Sequence, residues 1–230
     1  MTRKGVWAAG LAGTVVLASS ASASFTGYVF DSYANDSMTH AIIDVYAQFD
    51  DANDTVLNVF NSMISTSTGV AFNHNDFNTL SGLAGAWNVV QSGNIPGVVD
   101  ASIDSFVLIG GVIGGTNTTS LDPSFDPSTG GSVPTNAGWF NSNPPNLQGR
   151  VDAGSLRTWV ARFVIEGTNA SVNLNFAANL GYNQGLGTPA QFAYDNGQGS
   201  GPMTSVAFVP APGAIALLGL AGLAGRRRRN

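Results

Sequence analysis

The chain of 230 residues contains no cysteine, so neither a disulfide nor a thiolate metal site holds its fold together. It has two histidines, His40 and His74, and one glutamate, Glu166, which leaves few side chains for acid–base chemistry. No serine lies in the Gly-x-Ser-x-Gly turn that presents the nucleophile of many hydrolases. These absences favour a non-enzymatic protein whose stability comes from an apolar core.

Positive charge is also scarce, and most of it lies at the two ends of the chain. Arg3, Lys4 and the arginines at 226–229 account for six of the nine basic residues. Residues 24–208 keep three arginines against all fourteen acidic residues, a net charge of −11. A surface of that charge argues against nucleic acid and against anionic membrane surfaces as partners.

Three features follow one another at the C-terminus: a proline motif, a short apolar run and an arginine cluster. The run at 213–225 holds thirteen uncharged residues, which as an α-helix would span roughly 20 Å, less than the roughly 30 Å apolar core of a bilayer. A buried core helix is the alternative, but such a helix rarely lacks every polar residue and then ends in four arginines. The residues of the predicted sorting signal are Val209, Pro210, Ala211, Pro212, Gly213, Arg226, Arg227, Arg228 and Arg229.

This order of features resembles the PEP-CTERM sorting signal of exported proteins in exopolysaccharide-producing Gram-negative bacteria, with Pro-Ala-Pro at 210–212 in place of Pro-Glu-Pro. The resemblance covers residues 209–229 and implies a membrane processing enzyme of the exosortase type as partner. It also implies transient anchoring in the inner membrane through the short helix, followed by a place at the cell surface or in the extracellular matrix. The positive-inside bias agrees, since it holds the arginines on the cytoplasmic side while the body is outside.

The N-terminus carries the pattern of a secretory signal peptide. Two basic residues precede an apolar stretch at 6–17, and Ala21, Ser22 and Ala23 form a small-residue cleavage site before Ser24. A first membrane anchor is the alternative, but the apolar run is too short for one. We therefore expect export through the Sec translocon and cleavage after Ala23.

The sequence thus predicts a signal peptide at 1–23, one secreted domain at 24–208 and a sorting tag at 209–230. The middle segment is rich in Gly, Asn, Ser and Thr with short alternating apolar runs, which is typical of an exported all-β domain. We expect a single β-sandwich, of which the jelly roll is one form, flanked by a signal helix and a short C-terminal apolar helix.

Two hairpins are predicted within this domain. The first joins 39–50, where Ile43, Val45, Ala47 and Phe49 share one face, to 55–64. The second joins 156–166 to 170–177 through the turn at 167–169. On its first strand, one apolar face is predicted to hold Trp159, Ala161, Phe163 and Ile165. Gly- and Pro-rich residues 110–149 are predicted to form a long loop.

Parts of the body also resemble exported proteins of unassigned activity that carry the same C-terminal tag. The resemblance lies in the segment 43–60, in Trp139–Phe140 and in the segment 157–165. It implies a shared body fold and carries no activity.

Two weaker sites remain. Asp50, Asp51, Asn53 and Asp54 offer oxygen ligands for Ca²⁺, although Asp and Asn at such a position also form turns through their own side chains. Trp139 lies in the predicted long loop, where an exposed ring would contact a sugar and a buried one would simply pack. A carbohydrate-binding module that holds extracellular polysaccharide is therefore the alternative to a purely structural matrix protein.

Overall fold

A computed structural model describes residues 25–74, 87–89, 100–125, 131–167, 173–185, 187–193 and 204–207. The predicted signal peptide and sorting signal lie outside these residues. Within them, no helix is both long enough and apolar enough to cross a membrane. The strands are β1 (Phe25–Ala34), β2 (His40–Phe49), β3 (Thr55–Thr66), β4 (Phe106–Val107), β5 (Thr119–Leu121), β6 (Ala137–Asn141), β7 (Arg157–Glu166), β8 (Asn173–Asn183), β9 (Ala190–Ala193) and β10 (Thr204–Ala207).

These strands form two antiparallel sheets, which confirms the prediction of an all-β protein. The first sheet has the order β1-β2-β7-β4. The second has the order β10-β8-β3-β6-β5, and β9 also pairs with β8. The helical structure in the described residues consists of two short 3-10 helices, Ala101–Ile103 and Pro144–Asn146.

Both predicted hairpins are wrong, although all four strands exist. β2 lies in the first sheet between β1 and β7, whereas β3 lies in the second between β8 and β6. In the same way β7 belongs to the first sheet and β8 to the second. The reason is that each predicted pair carries apolar residues that enter one common core, such as Val45 of β2 and Val59 of β3. Two strands that face each other across a core show the same alternation as two strands that pair side by side.

The predicted loop at 110–149 is also partly wrong, because it contains β5 and β6. β5 has three residues and β6 has five, and both fall between Gly, Pro and Asn turns, which hide such short strands in the sequence. β6 pairs with β3 and contributes Ala137 and Trp139 to the core.

The ring of Phe176 on β8 is the main aromatic link between the sheets. Its centroid lies 4.9 Å from that of Tyr28, 5.7 Å from that of Phe30 and 6.3 Å from that of Phe163, and all three belong to the first sheet. Phe49 and Tyr182 make a further contact between the sheets at 5.4 Å. Edge-to-face rings of this kind stabilise a core beyond the area that they bury.

We expect Phe176→Ala to lower the free energy of unfolding by about 3 to 5 kcal/mol, because it opens a cavity where both sheets meet. Urea denaturation of the purified protein measures the loss. Phe140→Ala is the matched control, since Phe140 is 45% exposed and its removal is expected to cost less than about 1 kcal/mol. Equal losses for the two variants would contradict this description of the core.

Candidate functional site

Trp139, the predicted sugar contact, is a core residue. It is 1% exposed, and its indole nitrogen donates a hydrogen bond to the carbonyl of Leu108 at 3.1 Å. The prediction of a glycan contact there is therefore wrong. The ring is inward because β6 is a strand that alternates between core and solvent, not part of a loop.

The acidic segment 50–54 connects the two sheets. The side chain of Asp51 accepts hydrogen bonds from the backbone and side-chain nitrogens of Asn53, at 2.8 and 3.0 Å, which makes a local turn. Among the residues that the structure describes, no three His, Asp or Glu side chains are grouped so that they could hold a metal ion. Asp50, Asp51, Asn53 and Asp54, predicted as calcium ligands, are thus not grouped as a metal site in the described residues, and Asp51 and Asn53 form a turn instead.

Asp54 itself is fully buried, and neither of its carboxylate oxygens has a hydrogen-bond partner among the described residues. Burial, followed by the charges of Asp51 and Asp50, raises the pKa of Asp54 to about 6. A buried carboxylate in such surroundings favours its neutral form. Asp54 is therefore a pH-sensitive position between the two sheets.

The outer face of the first sheet carries a buried ion pair. The guanidinium of Arg162 on β7 donates from Nε to Asp44 Oδ1 at 2.7 Å and from Nη2 to Asp44 Oδ2 at 2.9 Å. The hydroxyl of Tyr33 accepts a hydrogen bond from the same Nη2 at 2.7 Å and donates one to Asp44 Oδ2 at 3.0 Å. Burial and the charge of Asp44 raise the pKa of Tyr33, so this hydroxyl stays protonated. A paired geometry of this kind compensates for the desolvation of both charges.

Aromatic rings and arginines alternate along this face. The guanidinium carbon of Arg162 lies 5.0 Å from the centroid of the Trp159 ring, and the rings of Trp159 and Tyr46 stack at 6.4 Å with 25° between their planes. The guanidinium carbon of Arg157 then lies 4.4 Å from the centroid of the Tyr46 ring. Arg157 also pairs with Asp31 at 3.0 Å. Cation–π contacts of this type order side chains that would otherwise be mobile.

Trp159 points outward because of a β-bulge, which reverses the prediction that it shares the inner face with Ala161. The register between β2 and β7 pairs Val45 with Ala161 and then Tyr46 with Trp159, so Val160 is an extra residue on β7. One extra residue moves every side chain beyond it to the other face of the sheet. Val160 and Ala161 both enter the core, and Trp159 lies half-buried outside it.

A groove of about 270 Å³ opens beside the stacked pair. It is close to the lower end of the usual range for small-molecule pockets, which begins at about 300 Å³. Its walls combine two aromatic rings, two arginines, one carboxylate, two glycines and small polar side chains. The lining residues are Tyr46, Gly110, Gly111, Gln148, Arg150, Asp152, Ser155, Arg157, Thr158 and Trp159.

One wall of the groove is fixed by Gln148. Its Nε2 donates to the carbonyl of Ile109 at 2.9 Å and to Asn117 Oδ1 at 2.8 Å, while its Oε1 accepts from the backbone nitrogen of Thr118 at 2.8 Å. Gly110 allows its backbone to pack against the backbone of Gln148, since a Cβ at position 110 would lie 1.8 Å from the carbonyl oxygen of Gln148. Both ends of the region 110–149 thus contribute to the groove, in agreement with the usual place of binding residues on loops.

The charged side chains at the groove differ in how they are held. Asp152 Oδ1 accepts hydrogen bonds from the backbone nitrogen of Ser155 at 2.8 Å, its hydroxyl at 2.8 Å and the nitrogen of Gly154 at 3.1 Å. The bonds from Ser155 lower the pKa of Asp152, so its carboxylate is ionised. Arg150 is exposed, and its Nη2 donates to Asn53 Oδ1 at 3.4 Å. That bond is long, so Arg150 is the arginine most easily redirected to a ligand.

A second depression, of about 330 Å³, lies at the turn between β1 and β2. It is lined by small polar residues and by Asp36 and Asp100. Its aromatic side chain, Tyr33, is already bonded to Asp44 and Arg162. The groove at Tyr46 and Trp159 is therefore the better candidate for a binding site.

His74, one of the two histidines, lies in the interior. Its ring stacks on that of Trp87 at 4.6 Å, and its side chain is 4% exposed. Its Nδ1 lies 3.7 Å from Asp104 Oδ1 and 3.2 Å from the carbonyl oxygen of Ser105. These contacts make His74 a packing residue.

Comparison with known proteins adds no relative: no protein-family model, no curated protein and no solved structure matches the chain.

The pKa of Asp54 predicts how stability depends on pH. A folded-state pKa of about 6, above the ordinary value of 3.8, means that the native state binds the extra proton, so this residue's stabilising contribution is complete below about pH 4. The contribution is lost as the pH rises through about 6. We expect Asp54→Asn to remove this pH dependence. The free energy of unfolding of the variant minus that of the parent should therefore increase as the pH rises from 4 to 7.

Urea unfolding of parent and variant at several pH values measures this difference. Asp122→Asn is the control, because Asp122 lies in a separate turn, where its Oδ1 accepts a hydrogen bond from Ser124 N. Parallel pH profiles for the parent and Asp54→Asn would show that Asp54 has an ordinary pKa.

Proposed function

We propose that this is an exported, non-enzymatic protein of the cell surface or extracellular matrix, processed at a C-terminal sorting signal of the PEP-CTERM type. One observation carries the proposal: a proline motif at 209–213, an uncharged run to 225 and four arginines follow in that order. A signal peptide at the N-terminus, cleaved after Ala23, also predicts export of the body. The partners are the Sec translocon and an exosortase-type enzyme, with no nucleic acid.

The exported body is proposed to be a single β-sandwich. What supports this is that rings of the two sheets contact one another around Phe176, at 4.9 to 6.3 Å between centroids. Apolar residues of both sheets also belong to one buried cluster. Such a core needs no disulfide in an oxidising compartment.

Intact mass spectrometry of the protein recovered from its native host tests the processing. Cell-surface and medium fractions are expected to contain a species that begins at Ser24 and ends within 210–213. A chain that keeps Arg226 to Arg229 in every fraction would contradict sorting and indicate a plain membrane anchor. Replacement of all four arginines by alanine is the matched variant, and it should leave the C-terminal cut unmade.

The second candidate function is a carbohydrate-binding module, and the groove favours it. Tyr46 and Trp159 lie side by side at its wall, half-buried, with their planes within 25° of each other. Sugar rings stack on exposed aromatic faces, and hydroxyl groups find partners in polar side chains of the lining such as Asp152 and Ser155. This function would place the body on extracellular polysaccharide after sorting.

We expect Trp159→Ala to reduce the affinity for polysaccharide from the native host at least tenfold, measured by affinity electrophoresis or calorimetry. Phe192→Ala is the control, since Phe192 is 56% exposed on β9 of the other sheet. Near-ultraviolet circular dichroism checks that both variants keep the native packing. Equal affinities for the parent and Trp159→Ala would exclude the groove as a sugar site.

A further inference from the structure

The three arginines of the body all lie on one side of the first sheet. Arg157 and the buried Arg162 project from the outer face of β7, and Arg150 lies across the groove from β7. The remainder of residues 24–208 contains no other lysine or arginine. A body with eleven excess negative charges therefore keeps its few positive charges in one region.

The groove itself is less acidic than the rest of the body. Arg150 and Arg157 line it, and two carboxylates balance them: Asp152 in the lining, and Asp31, which pairs with Arg157. The third arginine, Arg162, is committed to Asp44. An anion therefore meets less repulsion at this spot than elsewhere on the acidic body.

We propose that the groove binds an anionic sugar unit, a pyranose that carries a carboxylate. The sugar ring lies against the parts of the Tyr46 and Trp159 rings that the guanidinium groups of Arg157 and Arg162 leave uncovered, and the carboxylate accepts hydrogen bonds from the guanidinium of Arg150. Arg157 stands beside the same position, held over Tyr46. This inference deepens the carbohydrate-binding function proposed above and rests on it.

The geometry of the arginines favours a carboxylate. A guanidinium presents a planar fork of donors that matches the two oxygens of a carboxylate. Arg157 pairs with Asp31 at 3.0 Å, but the two side chains are 32% and 46% exposed, so the pair is weak and open to exchange. Arg150 has the long bond to Asn53 as its contact in the described structure, and a ligand carboxylate would replace it at little cost.

The aromatic pair favours a sugar over an acidic peptide. An aspartate or glutamate side chain brings a carboxylate but no flat apolar face to cover two neighbouring rings. A pyranose presents C–H groups on one face and a carboxylate at its edge, so both walls of the groove are used. The acidic peptide is therefore the competing ligand that the experiment has to separate.

Calorimetry of the purified full chain with trigalacturonate tests the proposal. Short oligomers are chosen because a long polyanion would meet the repulsion of the whole acidic body. The matched ligand is the carboxyl-reduced trimer, which keeps the sugar rings and loses the charge. We expect trigalacturonate to bind at least tenfold more tightly than the reduced trimer, since hydrogen bonds to a charged partner are the stronger ones.

Arg150→Gln is the deciding variant. It is exposed and outside the core, and we expect it to reduce the affinity for trigalacturonate about tenfold while leaving the affinity for the reduced trimer unchanged. Gln191→Glu is the control, because it changes the net charge by the same amount at an exposed position on β9. It should leave both affinities unchanged.

The outcomes separate this inference from the function on which it rests. Equal binding of the charged and reduced trimers, lost in Trp159→Ala, would overturn the anionic preference and keep a neutral sugar site. Absence of binding by either trimer and by host polysaccharide would overturn both. Triglutamate binding as tightly as trigalacturonate would show that the groove recognises a carboxylate without its sugar, which also contradicts the proposal.

Discussion

The contact of the two sheets around Phe176 is the constraint on which the rest of the structure depends. With no cysteine in the chain, covalent links cannot hold the sheets together, and the rings of Tyr28, Phe30 and Phe163 meet that of Phe176 instead. Strands β2, β3, β7 and β8 therefore commit one face to the core. A binding surface has to come from the outer faces or from the connections between strands.

The first sheet uses its outer face in this way. The bidentate pair of Arg162 with Asp44 is buried there, and it orders Trp159, which stacks on Tyr46, which in turn carries Arg157. A groove forms where this row meets the loop fixed by Gln148. These contacts thus stabilise the first sheet, and they also hold aromatic rings and charged groups at the solvent-facing surface. Removing one partner of the buried pair would leave an uncompensated charge and disturb both.

The sequence predicts faces well and pairing poorly. Ile43, Val45, Ala47 and Phe49 enter the core as their alternation indicates, but alternation is the same for strands that pair and for strands that face each other. The two tryptophans were misplaced for local reasons. A bulge at Val160 turns Trp159 outward, and a short strand within a Gly- and Pro-rich region turns Trp139 inward. Arg150 and Arg157 meet at one groove only through long-range contacts, so no short motif marks the site.

The most direct test is a ¹H–¹⁵N spectrum of the three indole N–H groups in tryptophan-labelled protein from which the predicted signal peptide, with Trp7, has been removed. It is recorded while trigalacturonate is added. Trp159 lies at the groove, whereas Trp87 and Trp139 are buried in the core. If the outer face of the first sheet is the binding surface, the Trp159 signal shifts in proportion to saturation and the other two stay in place. A spectrum in which Trp159 is unchanged, or in which all three signals move alike, would contradict binding at this face.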